Sequence, residues 1–236
     1  MRIVTHGCSM TKYNWKCWPE FLQWFTDATV VNKGQSGSGN ETIARAVVDT
    51  VLKKEADKIY VMWSGPDRYE LIQDYDPDQN QATKMTYGYN DDEFEWINWI
   101  GGHFEKTKDD WYKKHFLHQK QNRVRTLQWI IYTQFFLQKY KIEYHMMVMN
   151  KHVITHESLS RGESRLYNEV DWSKFLWYDD KKGLQEFQEE NYPEQTNVGD
   201  WHPAPYAHYE WLRQIVLKTD RDCPPDIKEK LMKEKR

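Results

Sequence analysis

The chain has 236 residues, of which 39% are hydrophobic, and its 33 basic and 36 acidic side chains give a net charge of −3. This length is enough for one sizeable core, and the balanced charge argues against a nucleic-acid-binding surface spread over the whole chain. Three cysteines without a close CxxC pair argue against a disulfide framework or a zinc knuckle and favour a reducing compartment.

The apolar residues form neither an export signal nor a membrane segment. No stretch of about 18 consecutive apolar residues is present to cross a bilayer. The first residues contain one arginine and then a short predicted strand, without the apolar segment of a signal peptide. We therefore expect a protein of the cytoplasm, or of a virion and its host cytoplasm, that does not associate with a membrane.

Four short apolar runs predict buried parallel strands, because they are rich in β-branched and bulky apolar side chains. They are residues 2–6 (RIVTH), 28–32 (ATVVN), 58–63 (KIYVMW) and 143–149 (EYHMMVM). Apolar residues at helical spacing lie between these runs, at Ile43, Ala46, Val47 and Val51 and again at Val124, Leu127, Ile131 and Phe135. This alternation predicts an α/β fold with a parallel sheet of about five strands, covered by helices on both faces.

Two long polar stretches interrupt the alternation, at residues 70–120 and 150–199. The second contains a short apolar segment at 174–178. Loops at the carboxyl ends of parallel strands commonly surround the binding site of an α/β fold, so we expect both insertions to rim the site. Without an internal repeat or a linker, residues 1–236 are predicted to form a single domain. Its charged C-terminal tail is expected to be a frayed helix or disordered.

Polar turns follow the first three predicted strands. The first strand ends in Gly7-Cys8-Ser9, the second in the loop NKGQSGSGNET, and the third in WSGPDRYE. Loops after neighbouring parallel strands lie side by side, so we expect these three to meet in one crevice. A fourth polar segment near the end of the chain, GDWHPAPYAHYEWL, contains Asp200 and His202.

These side chains are the types that nucleophilic catalysis requires. A serine nucleophile needs a base to accept its proton, a group to orient that base and N–H donors for the developing oxyanion. Ser9 is the predicted nucleophile, His202 the base and Asp200 the group that orients it. The backbone N–H groups of Ser9 and Gly37 are the predicted oxyanion donors.

The order of these segments resembles that of the SGNH, or GDSL-like, hydrolase family. Gly7-Cys8-Ser9 occupies the place of the family's Gly-Asp-Ser, and NKGQSGSGN matches its second block, with the oxyanion glycine at Gly37. The segment DWHPAPYAHYEW resembles the last block, Asp-x-x-His-Pro. The resemblance covers nearly the full chain in order. It implies a flavodoxin-like three-layer α/β/α sandwich and a serine esterase or acyl hydrolase that uses no cofactor and no metal.

The first block departs from the family pattern because Cys8 replaces its aspartate. An exposed thiolate is a better intrinsic nucleophile than a serine, so Cys8 stays an alternative nucleophile. Alternation along the turn favours an exposed Ser9 with Cys8 packed below it. In the last block, Asp200 precedes His202 by two residues instead of three. Either Asp200 still reaches the imidazole or a main-chain carbonyl orients it.

The third block departs at Pro66, which stands in SGPD where the family has an asparagine that donates to the oxyanion. Proline has no N–H to donate, and the loss of one oxyanion donor costs about 10²–10³ in rate. Arg68 or Asn40 is the predicted substitute.

The other candidate motifs have simpler explanations. His6 is expected to be a packed neighbour of the site, and His208 to support the start of a helix. His145, His152 and His156 lack the Asp, Glu or Cys partners of a recognisable metal site. The loop GQSGSGN has neither the Lys-Ser/Thr ending of a P-loop nor the GxGxxG order of a dinucleotide fold.

The Trp- and Tyr-rich residues 87–112 fit either a packed cap or a platform for sugar rings. We expect the substrate to be a small-molecule or glycan ester, with a small acyl group on a carbohydrate as the first candidate, and we expect no nucleic-acid partner. Two alternatives stay open: an SGNH-fold binding or virion-associated structural module with weakened catalysis, and an acyltransferase that uses the same residues.

Overall fold

The computed structural model describes residues 1–73, 95–99, 118–154, 159–197 and 200–234. The strands are β1 (Arg2–His6), β2 (Thr29–Asn32), β3 (Lys58–Trp63), β4 (Tyr69–Gln73), β5 (Glu95–Trp99), β6 (Glu143–Val148), β7 (Thr196–Asn197) and β8 (Asp200–Pro203). The α-helices are α1 (Trp18–Phe25), α2 (Asn40–Leu52), α3 (Gln119–Lys139), α4 (Arg161–Glu169), α5 (Leu184–Asn191), α6 (Pro205–Trp211) and α7 (Pro225–Lys233). Short 3₁₀ turns cover Lys151–Ile154, Trp172–Lys174 and Pro193–Gln195, and α6 continues as a π-helical turn, Leu212–Val216.

The central sheet has the order β2-β1-β3-β6, with all neighbouring strands parallel. In β1, Val4 is the register partner of Val31 on one side and of Ile59 on the other. The four strands coincide with the four apolar runs, which confirms the predicted α/β class. The chain passes from β1 to β2 on one side of β1 and then returns across β1 to form β3 on its other side. In such sheets, ligands bind in the crevice beyond the carboxyl ends of the two strands where this reversal occurs.

The outer edge of β6 carries a single bridge, so the described central sheet has four strands where about five were predicted. Met146 forms an isolated parallel bridge with Phe175, and the N–H of Leu176 donates to the carbonyl of Met146 at 2.8 Å. The apolar segment 174–178 is held short because a 3₁₀ turn precedes it and Tyr178 bonds back to Lys182 directly after it.

The helices flank the sheet in two packing groups. The helix α3 contacts both α2 and α4, whereas α6 contacts α1, α5 and α7. In α2, the apolar side chains at helical spacing, Ile43, Val47 and Val51, are buried, as their pattern predicts.

Tryptophan supplies much of the core volume in a chain of modest hydrophobic content. Trp18, Trp63 and Trp211 are fully buried, and each belongs to a different element. A buried aromatic side chain of this size removes about 150–250 Å² from water. Large rings from α1, β3 and α6 therefore fill much of the hydrophobic core.

Two small antiparallel pairs lie outside the central sheet, β4 with β5 and β7 with β8. The first pair belongs to the insertion at 70–120, most of which lies outside the described residues, as do most of the aromatic residues 87–112. The second pair ends the insertion at 150–199 and presents Asp200 and His202 on β8. That both insertions rim the site of a single domain stays a prediction.

The charged C-terminal tail forms the helix α7, in which Leu231 is 1% exposed. The expectation of a frayed or disordered tail overlooked this apolar anchor, which packs into the core. Among the helices that the structure describes, none combines the length and hydropathy that a bilayer requires.

The approach of α5 to β6 predicts that Gly183→Ala is destabilising. A Cβ at this position would lie 2.4 Å from the carbonyl oxygen of Val148 and 2.7 Å from the amide nitrogen of Asn150. Because both are backbone atoms, relief requires a shift of the main chain, and we expect a loss of about 1–3 kcal/mol in the free energy of unfolding. Urea denaturation measures it.

Gly162→Ala is the matched control, because a Cβ there meets nothing within 4 Å and the residue lies in α4. We expect this variant to be as stable as the wild type or more stable by up to about 1 kcal/mol. Equal stability of the two variants would contradict the packing described here.

Candidate active site

The turn after β1 is built around a glycine that admits close packing. A side chain at Gly7 would meet Oγ1 of Thr11 at 2.1 Å and the carbonyl oxygen of Met62 at 3.0 Å. The N–H groups of Thr11 and Lys12 close the turn on the carbonyl of Cys8, at 2.8 and 3.1 Å. Ser9 lies inside this turn.

The turn buries both candidate nucleophiles to nearly the same extent. Cys8 has no exposed surface, as predicted, but Ser9 is only 3% exposed, so the expected contrast with an exposed serine is small. Cys8 packs among the residues of the hydrophobic core, whereas Ser9 is not one of them.

The loop after β2 contacts this turn directly. The N–H of Gln35 donates to the carbonyl of Gly7 at 2.8 Å. Gly37 has a φ of 87°, in the left-handed region that favours glycine, and the N–H of Ser38 closes the turn on Gln35 at 3.2 Å. The first two strand-end loops therefore meet, as the sequence predicts.

Asn40 fastens the third loop to the start of α2. Its Oδ1 accepts the N–H of Ser64 at 2.8 Å, and its Nδ2 donates to the carbonyl of Ser64 and to Oγ1 of Thr126, both at 3.1 Å. Both amide hydrogens are thus used within the protein. Asn40 has no side-chain donor left for an oxyanion, which corrects its prediction as the substitute donor.

Two residues hold the second loop, Glu70 on β4 and Arg68 directly before that strand. Arg68, 7% exposed, donates from Nη1 to the carbonyl of Ser38 at 2.9 Å. The carboxylate of Glu70 accepts the N–H groups of Gly39 at 2.7 Å and Thr42 at 2.8 Å, so it caps the N-terminus of α2. Burial raises the pKa of Glu70 in spite of these bonds. Glu70 was not predicted from the sequence, because no local pattern indicates that the carboxylate of a later strand caps this helix.

The strand β8 brings the predicted base and its partner together. The Nδ1 of His202 lies 2.5 Å from Oδ1 of Asp200, and the same oxygen accepts the backbone N–H of His202 at 2.9 Å. The two-residue spacing is thus compatible with the pair, because one carboxylate oxygen reaches both the ring and the main chain. A carboxylate acceptor fixes the proton on Nδ1 and leaves Nε2 as the basic nitrogen.

The charge states of the pair follow from burial and hydrogen bonding. Burial lowers the pKa of His202, and the attraction of Asp200 offsets this only in part. Burial also opposes ionisation of Asp200, but hydrogen bonds from His202 and Tyr13 outweigh it and lower the pKa of the carboxyl. Near neutral pH the pair is a carboxylate and a neutral imidazole.

Two aromatic rings stack on His202, and neither was predicted from the sequence as part of the site. The Tyr13 ring is parallel to the imidazole within 19°, with centroids 4.0 Å apart, and Trp201 stacks at 4.2 Å and 26°. The hydroxyl of Tyr13 donates to Oδ2 of Asp200 at 2.8 Å. The Nε2 of His202 is buried and has no hydrogen-bond partner among the described residues.

Ser9 and His202 are linked indirectly, through the residues that follow Ser9. In the described part of the chain, no hydrogen bond links Ser9 to His202. Tyr13, four residues after Ser9, contacts both members of the acid–base pair. Tyr13 therefore connects the segment that follows Ser9 to the Asp200–His202 pair.

His6 and His208 are buried histidines outside this pair, and His208 lies close enough to His202 for the charge of His202 to lower its pKa. His6 bonds through Nε2 to Oγ1 of Thr50 at 3.2 Å, and burial lowers its pKa to about 3. His208 is buried in α6, with its pKa likewise lowered to about 3 by burial. Across the residues that the structure describes, no group of three or more metal-ligating side chains is present; His156 lies outside them.

Residues 5–187 match the model of DUF6071, a family of unknown function. The chain belongs to this family. No curated protein matches the chain.

Three solved structures illustrate what the DUF6071 chain is similar to. A protein from Desulfitobacterium hafniense DCB-2, described as a lipolytic protein of the G-D-S-L family, is 10% identical, with 89% of this chain and 94% of that one covered and a TM-score of 0.46. The acetylxylan esterase Axe2 from Geobacillus stearothermophilus is 11% identical over 90% and 93%, with a TM-score of 0.45. The α/β hydrolase enzyme LAE5 from the metagenome of Lake Arreo, Spain, is 12% identical over 88% and 89%, with a TM-score of 0.45.

The buried histidines of the DUF6071 chain predict acid sensitivity. Their pKa values in the folded protein lie below that of an unfolded histidine, so the unfolded chain binds more protons as the pH falls. The stability that these neutral histidines contribute is fully present above about pH 6.5 and is lost as the pH falls toward about pH 3. From pH 7 to pH 5, His208 alone accounts for a loss of about 2 kcal/mol.

The replacement His208→Gln, which retains an N–H donor, removes this contribution. Urea denaturation at pH 7 and pH 5 is expected to give a smaller pH-dependent loss for the variant than for the wild type, by about 2 kcal/mol. Identical losses in the two proteins would show that His208 is not held neutral.

Proposed function

We propose that the protein is a serine ester hydrolase of the SGNH type, with Ser9 as nucleophile, His202 as base and Asp200 as the residue that orients His202. One observation carries the proposal: Asp200 fixes Nδ1 of His202 at 2.5 Å, while the buried Nε2 has no partner among the described residues. A buried imidazole in this state has its basic nitrogen available for a proton from a nucleophile.

The proposed reaction has two stages. Ser9 Oγ attacks the acyl carbonyl as its proton passes to Nε2 of His202, and the N–H groups of Ser9 and Gly37 bind the oxyanion. The tetrahedral intermediate then expels the alcohol, which takes the proton from His202 and leaves an acyl-enzyme. Water next gives a proton to His202 and attacks the acyl group. The second tetrahedral intermediate then collapses, and His202 returns the proton to Oγ of Ser9 as the carboxylic acid is released.

Arg68 is the proposed third oxyanion donor. Pro66 has no N–H, and the amide hydrogens of Asn40 are used, whereas Arg68 has five donors and gives one to Ser38. Its positive charge contributes to the lowered pKa of His202, so the guanidinium lies within electrostatic range of the base. These facts support Arg68 over Asn40.

The absence of a direct bond between Ser9 and His202 in the described residues is compatible with this mechanism. Catalytic hydrogen bonds in ligand-free enzymes are often long and tighten only when substrate binds. The low exposure of Ser9 also means that water is largely excluded from the nucleophile, which strengthens electrostatic interactions in the site.

A small acyl group on a carbohydrate alcohol is the substrate class that we propose first. His202 delivers a proton to the leaving alcohol, so the alcohol lies on the imidazole side of the site. Trp201 stacks on His202 and is 45% exposed, so it offers an apolar face on that side. Acyl transfer to a sugar hydroxyl uses the same residues, and product analysis with and without an acceptor alcohol separates the two reactions.

A binding module with weakened catalysis is the second candidate. Pro66 in the place of a donor favours it, together with the missing bond between Ser9 and His202. The two functions differ in whether Ser9 is chemically reactive.

Reactivity at Ser9 is tested with a fluorophosphonate probe and a short p-nitrophenyl ester. We expect the wild type to be labelled and to hydrolyse the ester, and Ser9→Ala to do neither. Cys8→Ala is the matched control and is expected to keep both properties, because Cys8 packs in the core. Activity that survives Ser9→Ala but not Cys8→Ala would identify a thiol enzyme. An unlabelled wild type that binds glycans would identify a binding module.

The role of Arg68 is tested by Arg68→Gln. We expect kcat for the p-nitrophenyl ester to fall by about 10²–10³ with a smaller change in KM, because an oxyanion donor acts mainly in the transition state. Arg45→Gln is the control, since Arg45 lies on α2 with an exposed side chain that pairs with Glu41. An equal loss in both variants, or none in Arg68→Gln, would exclude Arg68 as a donor.

A further inference from the structure

Tyr13 is the residue at this site whose role is unexplained by the triad. Its hydroxyl donates to Oδ2 of Asp200 at 2.8 Å, across a sequence separation of 187 residues. Its ring stacks on His202 with centroids 4.0 Å apart and planes within 19°. One side chain therefore contacts both members of the acid–base pair.

The two contacts restrain different degrees of freedom. His202 uses only Oδ1 of Asp200, for both its ring and its backbone N–H. The bond from Tyr13 occupies the other oxygen, so the carboxylate cannot rotate about its Cβ–Cγ axis without breaking a hydrogen bond on each side. The ring of Tyr13 covers one face of the imidazole and restricts rotation about the Cα–Cβ bond of His202.

Tyr13 belongs to the segment that carries the nucleophile. It lies four residues after Ser9, beyond the turn that Thr11 closes on Cys8. Two residues further on, Trp15 donates from Nε1 to the carbonyl of Pro203 at 2.9 Å, so the same segment is fastened to the end of β8. The segment thus connects the turn of Ser9 to the strand of His202.

We propose that Tyr13 is a positioning residue that holds the Asp200–His202 pair in register with Ser9. The inference rests on the proposed function for its catalytic meaning, while the restraint on the pair is a property of the fold. Tyr13 takes no proton from the substrate and forms no bond to it. It sets the orientation of Nε2 and shields the imidazole from water.

Two variants separate the hydrogen bond from the stacking. Tyr13→Phe keeps the ring and loses the bond to Asp200, whereas Tyr13→Leu loses both. We expect kcat for a p-nitrophenyl ester to fall about 10-fold in Tyr13→Phe and about 100-fold in Tyr13→Leu, with KM changed less, because misplacement by about 1 Å costs on that order. Tyr132→Phe on α3 is the matched control, since Tyr132 is 56% exposed, and its kcat is expected to equal that of the wild type.

A second readout does not depend on turnover. The ring proton of His202 is followed by NMR through a pH titration of the full chain and assigned by its absence in His202→Gln. Without the hydroxyl of Tyr13, the Asp200 carboxylate attracts the imidazolium more strongly, and without the ring the imidazole is hydrated. The pKa of His202 is therefore expected to rise in Tyr13→Phe and further in Tyr13→Leu, with no change in Tyr132→Phe.

The outcomes distinguish this inference from the proposed function. Graded shifts of the His202 titration support the positioning role even if the wild type hydrolyses no ester, and in that case only the hydrolase proposal fails. A wild-type titration midpoint in Tyr13→Phe overturns the positioning role, whatever the turnover. Because Tyr13→Phe removes a single oxygen, it keeps the test decisive if Tyr13→Leu does not fold.

Discussion

The carboxylate of Asp200 accepts three hydrogen bonds, and the geometry of the candidate site depends on them. Two come from His202, through the ring and the main chain, and one comes from Tyr13 near the other end of the sequence. A charged acceptor makes each bond stronger than its neutral counterpart. This one group thereby sets the tautomer of the imidazole, stabilises the short β8 segment and joins it to the turn after β1.

A second set of polar contacts fixes the loops around Ser9. Gln35 bonds to Gly7, Asn40 to Ser64, and Arg68 to Ser38, so each strand-end loop is held by a neighbour. Glu70 adds the cap on α2. These groups are largely withdrawn from water, and a buried polar group that loses its partner costs about 1–3 kcal/mol. These contacts therefore favour the observed arrangement of the loops, since breaking one would leave a buried donor or acceptor unpaired.

The parts of this structure that local patterns encode could be predicted from the sequence. Parallel strands such as 58–63 are marked by continuous apolar runs, and α2 by apolar residues at helical spacing. The meeting of the strand-end loops follows from the topology of parallel sheets. The pairing of Asp200 with His202 could also be predicted, although the two-residue spacing left a main-chain carbonyl as an alternative partner for the imidazole.

Contacts that depend on packing across the sequence could not be predicted in the same way. Tyr13 is one of 15 tyrosines, and nothing in its neighbourhood indicates a bond to a carboxylate 187 residues away. Asn40 was predicted as a substitute for the oxyanion donor missing at Pro66, but its amide donates to Ser64 and Thr126 instead. In each case the side chain's partner is selected by tertiary geometry, which residue type alone does not specify.

The central claim is that the hydroxyl of Ser9 and Nε2 of His202 act on one substrate. Rapid mixing of the protein with a p-nitrophenyl ester, acid quenching and peptide mapping by mass spectrometry test this most directly. The account predicts a burst of p-nitrophenol and one acyl group on Ser9, and loss of both in His202→Gln. An acyl group on Cys8, or an acylation burst that does not depend on His202, would contradict it.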